Sequence, residues 1–485
     1  MVASTATLAF AIRPRVLARL VGRAALLLTG INAPLVVVSA VDAEWAAAAA
    51  HAVVVAALLG SWAVLSRGQP APVPQTNEAM ALSVCAFLLG SLALALPWWA
   101  EGVPFIDALF EGVSAVTTTG LSTLDSVENK SWSFLFARAW GQWSGGLMIV
   151  LLALFLTLER GAVAGRWLAY QLTTEEVMLG ARAWMRTMAT VYVGLTVVAI
   201  LALLAAGLRP GEAVLHGLTA VCSGGFATDD SSIGGVGGRA VQAVAMVAGT
   251  LGAVSFLIWP QLRRRRWQAA LGAPELRAFF ALSVAGFLLL FATMTQLSGL
   301  PFREAAWDAV LMSLSCQATT GFSTLDVAAL DPVAKLIMVM QMILGGDTAS
   351  TAGGIKMFRV LGMARLVREA ITRTALAPHA VVATRSGEAD LLRGTATVVT
   401  LFTLMLIVLW AILLAGHHSP VDALFDCASA LSTCGASVGV ASHGLAAPFK
   451  AVLVVGMLMG RLEIVAVLVL LYPRTWVGRR QSEGL

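Results

Sequence analysis

Charge is the scarcest commodity in this 485-residue chain: only 12% of residues are Asp, Glu, Lys or Arg. Soluble domains carry roughly twice that fraction, so a water-exposed globule is excluded. The five cysteines (Cys85, Cys222, Cys316, Cys427, Cys434) lie in apolar stretches and fit neither a disulfide framework nor a zinc site. The histidines His51, His216, His417 and His418 lack metal-ligand spacing. No P-loop and no G-x-G-x-x-G fingerprint occurs, so ATP hydrolysis and dinucleotide chemistry have no support. No cluster of nucleophile, base and metal ligands converges, and the chain is not expected to be an enzyme.

Hydrophobic residues instead make up 58% of the chain, and mean hydropathy is +0.84. Many apolar runs reach about 20 residues, the length that crosses a hydrocarbon core as a helix. The net charge of +5 does not indicate nucleic acid, because the basic residues cluster between the apolar runs. The arginines near the N-terminus precede a stretch long enough to span, which argues against a cleaved leader.

One segment occurs four times: Asp107 to Gly120, Glu212 to Gly225, Asp308 to Gly321 and Asp422 to Gly435. Each begins with an acid followed by Ala and ends at a glycine thirteen positions on. Such internal repetition marks one module used four times. Each segment is too short to span, so it predicts a re-entrant pore helix whose non-helical end lines a cavity. The expected fold is an all-α membrane protein. Two leading helices (about 16–41 and 46–65) precede four pseudo-repeats of helix, pore helix, filter turn and helix around one pore. The first helices are expected at 79–100, 187–208, 276–300 and 393–416. The second are expected at 132–158, 239–262, 333–358 and 449–472. The units run over residues 1–70, 71–170, 171–268, 269–375 and 376–485. That layout places 24 of the 32 Lys and Arg on one side with nine acids, and puts the four turns on the other side with seven basic residues and sixteen acids. The positive side stays cytoplasmic, so the turns face outward. Trp98 and Trp99 read as part of an interfacial belt.

The turns are Thr118-Thr119-Gly120, Ser223-Gly224-Gly225, Thr319-Thr320-Gly321 and Thr433-Cys434-Gly435. No carboxylate falls among the four residues ending at each glycine, so Ca²⁺ or Mg²⁺ is disfavoured. Backbone carbonyls turned toward an axis can replace the water shell of K⁺. The four leading acids either stabilise the helix N-termini or form an outer negative field, and both can hold.

The third unit's second helix is interrupted by Gly345-Gly346-Asp347-Thr348-Ala349-Ser350-Thr351-Ala352-Gly353-Gly354-Ile355-Lys356. This reads as a packing kink or as a mobile loop crossing the path beneath the turns. Arg461 is an intramembrane charge that requires a cavity or a partner. It could pair with pore carbonyls or Asp347, or stand as a positive barrier. Glu463 lies on a different helical face, so a simple pair with Arg461 is not expected.

The stretches Phe110–Gly120, Gly224–Ala227, Thr319–Thr324, Ser350–Lys356 and Gly460–Ile464 resemble the TrkH/KtrB/HKT superfamily of potassium transport proteins, over nearly the whole chain. The two leading helices make it most like TrkH. The resemblance implies K⁺ as the transported ion, a plasma-membrane location and a homodimer with one pore per protomer. It also implies gating by a cytosolic TrkA-type nucleotide-binding subunit. It maps the filter glycines to Gly120, Gly225, Gly321 and Gly435, the intramembrane gate to the interrupted helix, and the pore arginine to Arg461. Glycine at all four positions goes with K⁺ preference in that family. Asp347 departs from the family's small uncharged residue, and the second and fourth turns are atypical, so strict K⁺ over Na⁺ selectivity is not fixed by the resemblance. Channel, Na⁺- or H⁺-coupled symporter and non-selective channel all remain open.

Overall fold

The computed structural model describes residues 11–67, 74–158, 180–374 and 388–477, and these residues contain helices and no strand. Six helices are individually long and apolar enough to span: Pro14–Val41, Trp45–Leu65, Thr76–Ala100, Ala183–Ala205, Pro274–Gln296 and Leu391–Leu414. They are the two leading helices and the first helix of every repeat. Their outward faces are apolar, with Leu27 72% and Val198 61% exposed, whereas Thr118, Ser223 and Thr319 are fully buried. Apolar side chains outside and hydroxyls within are what a hydrocarbon solvent selects.

The leading helices form a hairpin turned at Ala43 (φ 62°). It is fastened to the bundle by polar contacts at both ends. Arg13 Nε and Nη2 grip the two Glu78 oxygens at 2.7 Å, and the Ser133 N–H donates to Asp42 Oδ2 at 2.8 Å.

Four pore helices follow the expected positions: Phe105–Val116, Pro210–Val221, Phe302–Gln317 and Pro420–Leu431. The second helices depart from expectation. Only Trp132–Leu158 is continuous. The second repeat's helix stops at Ala253 and resumes as Ile258–Arg263; the third runs Pro332–Leu344 and resumes as Met357–Thr374. In the fourth, Ala447–Arg461 and Val465–Leu471 meet at 111°. Among the described residues, then, three of the four second helices are interrupted. Apolarity locates a membrane segment but does not report where its backbone leaves the helix. At Glu463 and Ile464 (φ 58° and 42°) the chain turns through left-handed angles that no glycine announces.

Two of the four leading acids of the pore helices tie repeats together. Asp107 is ion-paired with Lys450 at 2.5 Å and Asp422 with Lys335 at 2.8 Å. Both lysines stand in the first turn of the preceding repeat's second helix around the ring. A charge neutralised in this way contributes little outer field. Asp107 and Lys450 are both about 5% exposed, so removing one partner strands a buried charge at a cost of about 3–5 kcal/mol. Lys450→Met should therefore lower the melting temperature in detergent markedly, and Asp107→Asn/Lys450→Met should recover most of the loss. Equal melting of single and double variants would show that the pair does not join the repeats. Trp98 also corrects the interfacial reading: it is fully buried against Phe134, ring centroids 5.1 Å apart, while Trp99 alone is exposed.

Candidate functional site: four turns, a crossing loop and an arginine

The four pore helices end in the same way. Two residues before each terminal glycine the backbone enters the left-handed region: Thr118, Ser223, Thr319 and Thr433 have φ between 48° and 54°. The glycines Gly120, Gly225, Gly321 and Gly435 have φ between 73° and 96°. Between them, the N–H of Thr119, Gly224, Thr320 and Cys434 reaches back to the carbonyl of Ser114, Thr219, Ser315 and Ser429 at 2.8–2.9 Å. Each turn thus spends its amide on its own helix and leaves the carbonyls of the same residues free of it. A left-handed threonine costs on the order of 1–2 kcal/mol, and that strain persists only where surrounding contacts enforce it.

The carbonyls converge on one ring. A Cβ on Gly120 would overlap the Gly224 oxygen, one on Gly225 the Thr320 oxygen, one on Gly321 the Cys434 oxygen, and one on Gly435 the Thr119 oxygen. Each glycine therefore packs its bare Cα against the carbonyl of the next repeat, in the order one, two, three, four and back to one. Four turns dispersed through the bundle could not close this circuit. The C-terminal ends of the four pore helices approach the ring, and their partial negative charge favours a cation there.

A second layer, missed in the sequence reading, holds the turns. Six residues before every turn glycine is a hydroxyl: Ser114, Thr219, Ser315 or Ser429. Ser114 and Ser429 Oγ accept the N–H of Gly120 and Gly435 at 3.0 Å, and Ser315 Oγ donates to the Phe322 carbonyl at 2.7 Å. Fixed spacing within the repeat was the available signal. Buried acids hold the chain that leaves the ring. Glu111 accepts from Arg138 at 2.9 Å and from the Thr123 N–H at 3.1 Å. Asp426 accepts the Val438 and Ala441 N–H groups at 3.0 and 2.6 Å. At the equivalent place in the second repeat, His216 Nε2 meets Thr228 Oγ1 at 3.1 Å. A cavity of about 790 Å³ opens on one side of the ring, lined by the glycines of all four turns and by Asp125, Asp229, Asp230 and Asp326.

The interrupted helix crosses the other side of the ring. Gly345 (φ 70°) ends the helix, and Gly354 (φ 73°) lies against it, forming a narrow neck. The N–H groups of Ile355, Lys356 and Met357 close that neck on the carbonyls of Ile343, Leu344 and Gly346 at 2.9–3.2 Å. Above the neck the loop touches three of the four turns. Thr351 Oγ1 is 2.7 Å from Ser223 Oγ, and the Gly353 N–H donates to Thr319 Oγ1 at 2.7 Å. A Cβ on Gly353 would overlap the Ser432 carbonyl and the Thr433 hydroxyl. Part of the loop backbone is satisfied by protein: the N–H groups of Asp347, Thr351 and Gly353 find acceptors in it. Ser350 Oγ donates to the Asp347 carbonyl at 2.6 Å and stiffens the bend.

Asp347 is buried and directed away from the turns. Its oxygens accept from the Thr348 N–H at 2.8 Å and the Ser255 N–H at 3.3 Å. The Glu275 carboxyl accepts from the same Thr348 N–H at 3.2 Å and is hydrogen-bonded to Asp347. This acid anchors the loop to the break in the second repeat. Arg461 Nη1 donates to the Thr351 carbonyl at 2.7 Å, while Nε and Nη2 are buried without a protein partner. Of the alternatives, then, the arginine takes a loop carbonyl and not Asp347. Glu463 pairs with Arg359 at 2.7 Å, as the bend after Arg461 dictates. Arg461, Lys356, Gly353 and Gly354 line a cavity of about 120 Å³ on the loop's side of the ring.

This architecture has solved and sequenced counterparts. The crystal structure of the potassium transporter TrkH from Vibrio parahaemolyticus superposes with a TM-score of 0.84, covering 96% of this chain and 100% of that one at 24% identity. The Trk system potassium uptake protein TrkH of Halomonas elongata is 30% identical over 407 residues, 80% of this chain and 83% of that protein. An uncharacterized cation transporter of Methanocaldococcus jannaschii is 27% identical over 414 residues, covering 84% of this chain and 85% of its own. The family model for the cation transport protein TrkH matches residues 47–475. With its ring of turns, its crossing loop and that match over most of its length, the chain belongs to the TrkH family of multi-pass cation transport proteins.

Proposed function

We propose that this protein takes up K⁺ through the four-turn ring, with the loop at 345–356 as the gate on its cytosolic side. The observation that carries the reading is the closed circuit of glycine Cα against neighbouring carbonyl, which sets four carbonyl oxygens around one axis. Carbonyl rings of this kind replace the hydration of a weakly hydrated cation. The names of relatives, Trk system potassium uptake proteins, agree with the choice of ion.

In this reading a cation enters the acid-lined outer cavity, sheds water at the ring, and meets the negative ends of four pore helices. The membrane potential drives it inward with roughly 2.3 kcal/mol per charge per 100 mV. Below the ring, Gly353 and Thr351 block the path and Arg461 places a positive charge against it. Conduction requires the loop to withdraw from Ser223 and Thr319. The neck at Gly345 and Gly354 is the natural hinge, because its glycines already hold positive φ. A cytosolic TrkA-type nucleotide-binding subunit would supply the differential binding energy for that movement. The protein works in the inner membrane, turns facing outward, as a homodimer.

Expression in a bacterium lacking K⁺ uptake tests the proposal. Growth at low K⁺ should be restored, more strongly with the partner subunit, and purified protein in liposomes should carry K⁺ with a reversal potential set by the K⁺ gradient alone. A reversal potential that follows a Na⁺ or H⁺ gradient would replace the channel with a symporter. No flux of any cation would end the transport reading.

A further inference from the structure

The ring is not four-fold in its support. Gln142, fully buried in the first repeat's second helix, donates from Nε2 to the Gly224 carbonyl at 2.5 Å and accepts the Phe226 N–H on Oε1 at 3.3 Å. One N–H and one carbonyl as partners dictate which end of the amide is nitrogen. These two bonds hold the peptides on either side of Gly225. The Gly224 oxygen is also the one on which Gly120 packs, so the side chain reaches a member of the ring itself.

The pairing explains why the second turn carries two glycines. A Cβ at Gly224 would overlap the Gln142 amide. At the next interface the bulk is exchanged. Gly249 occupies the place of Gln142 in the second repeat, and a Cβ there would come within 2.7 Å of Thr320 Oγ1. The corresponding residues of the third and fourth repeats are Met342 and Met457, which carry no N–H donor.

We infer that Gln142 is a specificity-determining residue, which clamps the Gly224 carbonyl and weakens its pull on the ion relative to the other three. The inference rests on the ring being the conduction path. A carbonyl that already accepts a strong hydrogen bond offers less negative charge to a cation and cannot swing inward. Both effects act against a small ion such as Na⁺, whose tighter coordination requires oxygens that close in with high field strength.

Two variants test this in liposomes by reversal potential under K⁺/Na⁺ gradients, with melting temperature recorded alongside. Gln142→Met removes the donor and installs the residue found at the third and fourth interfaces. Gln142→Leu removes the amide donor in a branched apolar side chain and adds no charge beside the ring, so it carries the test if the methionine variant does not fold. Both are expected to conduct K⁺ with a K⁺/Na⁺ permeability ratio about threefold or more below wild type. A wild-type ratio in a folded variant overturns the inference and leaves Gln142 a packing residue. Absence of K⁺ flux in the wild-type protein would instead overturn the proposed function beneath it.

Discussion

Gly435→Ser is expected to reduce the K⁺/Na⁺ permeability ratio by about tenfold, the equivalent of ~1.4 kcal/mol of lost discrimination. The substitution acts twice at one atom. The backbone at Gly435 has φ 96°, where an L side chain is strained. Its Cβ would also overlap the Thr119 carbonyl oxygen and lie 3.0 Å from the Gly120 Cα. The carbonyl has to yield, because the serine is anchored by the Ser429 hydroxyl on its N–H. Displacing one oxygen of four widens or tilts the ring, and a distorted ring no longer matches a dehydrated K⁺ better than a Na⁺. Gly225→Ser meets the Thr320 oxygen in the same way and should behave alike. Permeability ratios unchanged in both variants would remove these turns from ion selection.

Removing the obstruction under the ring should raise flux several-fold, without the regulatory partner. Replacing 347–353 by a short turn is the direct form of the experiment, and the structure favours its folding. The neck bonds from Ile355, Lys356 and Met357 to Ile343, Leu344 and Gly346 lie outside the deleted stretch. Arg461→Ala is the milder form. It deletes the donor to the Thr351 carbonyl and a buried positive charge with two unpartnered nitrogens. An uncompensated guanidinium in a membrane pore opposes cations at a cost of several kcal/mol before screening by water. Both variants should show K⁺ leak in liposomes. If the loop deletion conducts as wild type, the loop is not a barrier. If Arg461→Ala lowers only expression, the arginine is structural.

The membrane class, the all-helical fold and the positions of the four short helices and the turns that end them were legible in the sequence. Hydropathy counts residues, and a recurrent acid-to-glycine interval survives divergence of everything between. The hydroxyl layer behind the turns could have been found by the same logic, since Ser114, Thr219, Ser315 and Ser429 keep one offset. Helix breaks at Ala253 and Glu463 could not, because the nearby Gly252 and Gly460 look no different in sequence from Gly145 and Gly146, which lie inside the unbroken helix Trp132–Leu158. The break at Ala253 forms where a loop from another repeat supplies hydrogen bonds that the helix gives up: Asp347 and Thr351 donate to the Ala253 and Gly252 carbonyls.

By itself the amino-acid order determined what the parts are: short helices ending in turns that permit left-handed angles, because glycine at each terminus and hydroxyls before it are local properties of the backbone. Only the assembled bundle decided how those parts meet. Which carbonyl abuts which glycine, that Asp347 anchors the loop and leaves the path, that Lys450 reaches back to Asp107 across 343 residues, and that Gln142 holds one oxygen of the ring are pairings between distant segments. Such pairings are set by close packing in three dimensions, to which spacing along the chain is blind.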